Sequence, residues 1–187
     1  IRFDMTRKKY AKVIRQVLEK EIGRGEGANF VVANTGRGQV VEMNRAKALS
    51  MYRSLLQSEY GSYMTFLFFD GQKYLIGASP ERHLTVQKRE VVMNPISGTL
   101  RKVLGQRITK KNLLKFLRDD KEIMELFMVL DEELKMMSQM CGCGGRVEGP
   151  LLKNMSRLIH TEYLLRGHSD HPIVDLLRTS MFAPTVT

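Results

Sequence analysis

Apolar positions change period several times along the chain, and each change marks an element. Residues 6–22 recur at helical spacing through Tyr10, Val13, Ile14, Val17, Leu18 and Ile22, then stop at the glycine cluster GRGEG. Two short apolar runs, 29–34 and 39–43, read as strands, and a helical pattern returns over 44–58. Strand-like runs at 62–69 and 73–78 meet at Asp70-Gly71, a hairpin signal because both residues tolerate the positive φ of a tight turn. Two more strands, about 82–87 and 90–94, lead into NPISGT. The clearest helix is 120–140, DKEIMELFMVLDEELKMMSQM. At about 100° per residue, Ile123, Leu126, Phe127, Leu130, Leu134 and Met137 share one arc, the expected core face. Antiparallel strands that precede long helices, rather than alternate with them, predict an α+β fold.

Composition narrows the class. With 187 residues, 43% hydrophobic and 27% charged, the chain has the size and apolar content of one domain with a core. No apolar run reaches membrane-spanning length, and the opening IRFDMTRKKY lacks a signal-peptide pattern, so a cytoplasmic setting is expected. Ile1 in place of an initiator Met reads as a start internal to a longer chain. The formal charge of +10 suits a polyanion, but equally a small substrate with several carboxylates. The basic residues gather at Arg7, Lys8 and Lys9 and in RKVLGQRITKK, 101–111, without forming one stripe; Trp is absent and no RNP-like or zinc-finger pattern occurs. Nucleic acid is therefore not the expected partner. Cys141 and Cys143, one residue apart, lack zinc-ligand spacing and read as a reduced turn. The GRGEG cluster follows a helix, whereas dinucleotide-binding glycines follow a strand, so it reads as a helix stop.

Two features carry candidate chemistry. In GASPERHL, 77–84, Ser79-Pro80-Glu81 has the composition of a helix start, yet strand-like residues lie on both sides. On the long helix, Glu122, Glu125, Glu132 and Glu133 border the apolar arc. They are either a solvated acidic face or, through Glu122 and Glu125 at i,i+3, a pair of hard oxygen donors suited to Mg²⁺. Spacing alone leaves both readings open.

Four blocks occur in order: GASPERHL (77–84), NPISGT (94–99), KEIMELFMVLDEELKMM (121–137) and MSRLIHTEY (155–163), and the chain ends in FAPTVT (182–187). Together they resemble the chorismate-binding domain of anthranilate synthase component I, aminodeoxychorismate synthase and the isochorismate and salicylate synthases. Anthranilate synthases typically read PIAGT, an EH pair on the helix, RNDL and PAGT. Here PISGT, Glu125-Leu126, DEELKMM and FAPTVT stand instead, spellings that resemble the phenazine-pathway branch, the 2-amino-2-deoxyisochorismate synthases.

The resemblance implies antiparallel β-sheets packed face to face around a substrate cleft, with helices outside. It implies that 1–187 is a partial chorismate-binding domain whose family counterpart continues with a second Mg²⁺-ligating Glu and groups that grip the substrate carboxylates. Exposed sheet edges would then suit pairing into a homodimer. By position, Glu81 resembles the general acid for the leaving C4 hydroxyl. Glu125 resembles the Mg²⁺ ligand, with Glu122 as its partner. Ser97, Gly98 and Thr99 resemble the substrate cradle, His160 the active-site histidine, and Thr185 the threonine of PAGT, with Pro184 replacing its Gly. Water-adding members carry a Lys on an early strand; NFVVAN, 29–34, has none, which favours ammonia delivered from a glutaminase domain or subunit. The expected reaction is Mg²⁺-dependent amination of chorismate with the pyruvate side chain retained. The alternatives are anthranilate synthase, which expels pyruvate, and, from another class, a basic nucleic-acid-binding module or an inactive interaction homologue.

Overall fold

In the computed structural model, which describes residues 1–27, 30–103, 107–181 and 183, the chain forms two compact units, 1–44 and 45–187. In the first, Thr6 caps α1 (Arg7–Gln16) by accepting the backbone N–H of Lys9 at 3.2 Å. The helix continues through a π-helical turn, Val17–Glu21, and a 3₁₀ turn, Ile22–Arg24. It ends at Gly25, whose φ of 77° is the left-handed cap that a side chain would disfavour. GRGEG is thus the predicted helix stop. The strands expected at 29–34 and 39–43 do not form among the described residues; the pairing is instead β1 (Arg2–Phe3) with β2 (Gly36–Arg37). Side chains take the place of a ladder in the first of these runs. Tyr10 donates to the Val32 carbonyl at 2.9 Å, and the Asn34 amide pairs both ways with the Met5 backbone.

The second unit opens with α2 (Arg45–Ser58) and the hairpin β3 (Met64–Phe69) and β4 (Tyr74–Ser79). Asp70 closes that hairpin as its sequence suggests: its carboxylate accepts the N–H groups of Gln72 and Lys73, both at 2.7 Å, and these bonds hold its pKa below the usual value. Next come β5 (Thr85–Gln87), β6 (Glu90–Met93), β7 (Ile96–Arg101), α3 (Lys110–Leu117), α4 (Asp120–Met140), β8 (Gly145–Asn154), β9 (Leu158–His168) and α5 (Ile173–Ser180). The strand expected from 82 begins only at Thr85, because the Arg82 carbonyl is taken by the N–H of Asn94 and the His83 ring by Ser180.

The five-stranded antiparallel sheet is built around β9. One edge of β9 pairs with β8; the other pairs with β6 at 165–168 and with β7 at 158–162. β6 and β7 therefore act as one strand broken at Asn94-Pro95. Proline has no N–H for the ladder. The Asn94 side-chain amide supplies the donor instead, reaching the Tyr163 carbonyl at 2.7 Å, while the Pro95 carbonyl still accepts from Tyr163 N at 3.0 Å.

One face of this sheet packs on α4, with Val91, Met93, Met137, Met140, Cys141, Leu165 and Leu176 as the core. The buried arc of α4 is Leu126, Val129, Glu133, Met137 and Met140, rotated from the expected one. Phe127, expected inside, is half exposed, and Glu133 is buried. The shift has a cause in β7, whose polar bulge lies against the start of α4 and takes up Glu122 and Glu125. Antiparallel sheets with peripheral helices make this the expected α+β fold.

Candidate functional site

Gly98 organises the site. The β7–β9 register pairs Ser97 with Thr161 but Thr99 with His160, so Gly98 is an extra residue, a bulge with φ +65°. In a regular strand Ser97 and Thr99 would point to the same face. The bulge splits them: Ser97 sides with Thr161, and Thr99 with His160. It also frees two backbone groups. The Thr99 N–H donates to Glu122 Oε2 at 3.0 Å, and the Gly98 carbonyl accepts from His160 Nδ1 at 2.9 Å. A carbonyl only accepts, so in the neutral imidazole the proton sits on Nδ1 and Nε2 keeps its lone pair. Thr99 Oγ1 lies 3.3 Å from the same nitrogen, and Thr161 donates to the Ser97 carbonyl at 2.7 Å.

α4 supplies the carboxylates. Asp119 caps it by accepting the N–H groups of Lys121 and Glu122, which fixes the first turn against the bulge. Glu125 Oε1 accepts the Ser97 hydroxyl at 2.8 Å, and its Oε2 lies 2.5 Å from Lys121 Nζ. Lys121 also reaches Glu122 Oε1 at 3.1 Å. Burial works to raise the Glu125 pKa, but the hydrogen bonds from Lys121 and Ser97 outweigh it, and the group ends below its ordinary value. The same contacts raise Lys121. Glu125 is therefore ionised at neutral pH, and one cation touches both Glu125 and Glu122.

The structure thus brings Ser97, Gly98, Thr99, Glu122 and Glu125 together, while His160 meets the same bulge from the opposite sheet face. Ser97, expected in the substrate cradle, holds Glu125. Glu81 lies on a different segment, half buried on the turn that follows β4. That turn explains the Ser-Pro-Glu puzzle: the Ser79 hydroxyl accepts the Glu81 N–H at 3.3 Å, a local turn that Pro80 stiffens. The bond from Asn94 N to the Arg82 carbonyl at 3.1 Å ties it to the β6–β7 break. Thr185 and all of FAPTVT except Ala183 lie outside the described residues.

Four side chains escaped the sequence reading. Lys121 had a legible signal, its i,i+4 spacing to Glu125. Thr161 had none until the bulge set the register. Lys153 and Glu162 form an ion pair at 3.2 Å with side chains only 16% and 12% exposed, and Asn94 adds a hydrogen bond to Glu162 at 3.1 Å. Lys153 stands opposite His160 in the β8–β9 register, so both occupy one sheet face, opposite to the one on α4.

Among the described residues no group of three or more His, Cys, Asp or Glu side chains could hold a metal ion. The Glu122–Glu125 pair nevertheless suits Mg²⁺, which takes one or two protein carboxylates and keeps several waters. The Lys121 ammonium is a stand-in ion here, showing that both carboxylates reach a single cation.

The α+β scaffold thus joins a carboxylate pair, two hard oxygen donors, to a glycine bulge. The match over residues 1–187 is to the family of chorismate binding enzymes, and the chain belongs to that family. It is 47% identical over 187 residues to a Pseudomonas chlororaphis protein named anthranilate synthase, phenazine specific, and 48% identical to its Pseudomonas fluorescens namesake. Each match covers 100% of this chain and 29% of the relative, so the chain spans under a third of their length. Its fold superposes with a TM-score of 0.74 on a Bacillus anthracis protein described as a 2,3-dihydroxybenzoate-specific isochorismate synthase. That likeness carries 21% identity and covers 99% of this chain and 52% of the other.

Proposed function

We propose that the protein containing these residues aminates chorismate at C2 with loss of the C4 hydroxyl, giving 2-amino-2-deoxyisochorismate. Chorismate plus ammonia gives the product plus water: a C–N bond forms at C2, the ring double bonds shift, and the C4–O bond breaks. Hydroxide is a poor leaving group, so the oxygen needs a proton as it departs; Glu81 is the donor in this reading. Glu122 and Glu125 hold Mg²⁺, which when bound supplies a Lewis acid for the ring carboxylate. Ser97 fixes the orientation of Glu125. The backbone and hydroxyl at Gly98 and Thr99 face the anion, and His160 stands beside the ring, with Thr185 completing the site. Ammonia comes from glutamine through a glutaminase domain or subunit. No helix among the described residues is long and apolar enough to cross a membrane, and the reading places the enzyme in the cytoplasm.

The observation that carries this reading is the junction of the Glu122–Glu125 pair with the Gly98 bulge. The 47% and 48% identities to phenazine-specific proteins favour the aminating branch. The name anthranilate synthase on those same relatives supports a second reading, in which pyruvate is then eliminated to leave anthranilate. Mass spectrometry of the product from chorismate, Mg²⁺ and ammonium separates the two. An adduct that keeps the pyruvate carbons supports the first, anthranilate plus free pyruvate the second, and isochorismate would overturn both.

A further inference from the structure

Lys121 occupies the place that a metal would need. Its Nζ lies 2.5 Å from Glu125 Oε2 and 3.1 Å from Glu122 Oε1. A Mg²⁺ ion bound directly to a carboxylate sits at about 2.0–2.1 Å from the oxygen. An ammonium and a magnesium ion on Glu125 Oε2 at these distances would stand only about 4 Å apart, like charges that repel. Direct coordination therefore favours the release of Lys121. Only its two ion pairs hold it among the described contacts: its side chain is 68% exposed, whereas those of Glu122 and Glu125 are 19% and 34% exposed. Solvent receives a freed lysine at little cost, while the two carboxylates are pinned by the Thr99 N–H and the Ser97 hydroxyl and stay.

We propose that Lys121 is a place-holding cation, which neutralises the carboxylate pair before metal arrives and is exchanged out when Mg²⁺ binds. The exchange has two consequences. The carboxylates keep their geometry without metal, because repulsion between them is offset in both states. The displaced ammonium is left at the rim of the site, one side-chain length from the metal, where an anionic substrate is its natural new partner. Metal and anion then bind with positive coupling, each making room or charge for the other. This inference rests on Glu122 and Glu125 being the metal carboxylates.

The test is calorimetric titration of Mg²⁺ alone into the intact protein and its variants. Lys121→Met removes the competing ammonium and should tighten Mg²⁺ binding by about two- to tenfold, the size expected for losing a partly exposed pair of contacts. Lys121→Arg keeps a competing charge and should stay near wild type. Lys135 makes the same kind of contacts one side over, to Asp131 and Glu132, so Lys135→Met removes an equal charge from the same helix and should leave the affinity unchanged. Glu125→Gln should abolish the binding isotherm. If Glu125→Gln binds Mg²⁺ like wild type, the metal assignment fails and this inference falls with it. If Glu125→Gln loses binding but Lys121→Met is unchanged or weaker, the metal assignment stands and the exchange is wrong. Equal tightening by Lys121→Met and Lys135→Met would likewise overturn it, since net charge alone would then be responsible.

Discussion

A side chain at Gly98 would meet the site from the inside. A Cβ there would lie 2.8 Å from Thr161 Oγ1 and 3.2 Å from Glu122 Oε2, on a backbone with φ +65°. Gly98→Ala should therefore cost about 1–3 kcal/mol, the usual range for a strained left-handed position, read as a lower urea midpoint. Because the clash falls on Glu122, the same variant should also bind Mg²⁺ more weakly; unchanged stability and affinity together would show that the bulge is dispensable. The backbone of Glu81 is set by a different device, the Ser79 turn. A glutamine there keeps the size and the hydrogen bonds but has no proton to give. Glu81→Gln should bind chorismate nearly as well as wild type and lose kcat by roughly 10²–10⁴, as for a lost acid–base group. A near-normal kcat would leave Glu81 a turn residue and move the search for the acid to His160.

α5 and the turn carrying Glu81 are joined by His83, whose Nε2 lies 3.1 Å from Ser180 Oγ. Ser180 gives its own proton to the Leu177 carbonyl at 3.2 Å, so His83 must donate through Nε2–H. Nδ1 then keeps a lone pair that is buried and has no partner among the described residues. Adding a proton there would bury an N–H without an acceptor, and burial holds the His83 pKa below the ordinary imidazole value of about 6.5. As pH falls through that ordinary value the unfolded chain takes the proton first, so stability declines until the depressed folded value is reached. His83→Gln should flatten this part of the curve, measured as urea midpoints between about pH 5 and 8; parallel curves would remove His83 as the cause. His83 lies inside GASPERHL, yet its link to a residue 97 positions away was not legible from local pattern. α4 was legible to its ends, because 21 periodic residues follow an Asp cap. Its buried arc was not. That arc depends on the Gly98 bulge, and one glycine in PISGT does not say which face of a neighbouring helix its strand will claim. The 29–34 run failed for a related reason: β-like residues make a strand only where another strand offers its edge.

At the scale of the molecule, the charge and the core give separate tests. If the net charge of +10 serves a small anionic substrate, binding to duplex DNA should be weak and lost by about physiological salt. Tight, sequence-selective binding at that salt would revive the nucleic-acid reading. The core is distributed unevenly. None of the described residues in 1–44 is buried, and the strands of that unit are two residues each, short of what gives a sheet independent stability. In 45–187, Val91, Met93, Leu165 and Leu176 are all at most 1% exposed and pack with Met137 and Met140 of α4. Sequence could not foresee this division, because the helical pattern of 6–22 is as regular as many that end in a core. Opening α1 breaks few apolar contacts within its unit, whereas opening β9 exposes the whole centre of the sheet. Backbone amides of Val91–Met93, Leu165–Gly167 and Met137–Cys141 should therefore exchange with solvent slower than those of α1 by roughly a thousandfold or more, since frayed segments open at almost no cost and core strands only on global unfolding. Hydrogen–deuterium exchange on the 187-residue chain measures this directly. If α1 proved as protected as β9, residues 1–44 would share the core's stability and the boundary near Asn44 would have no energetic meaning.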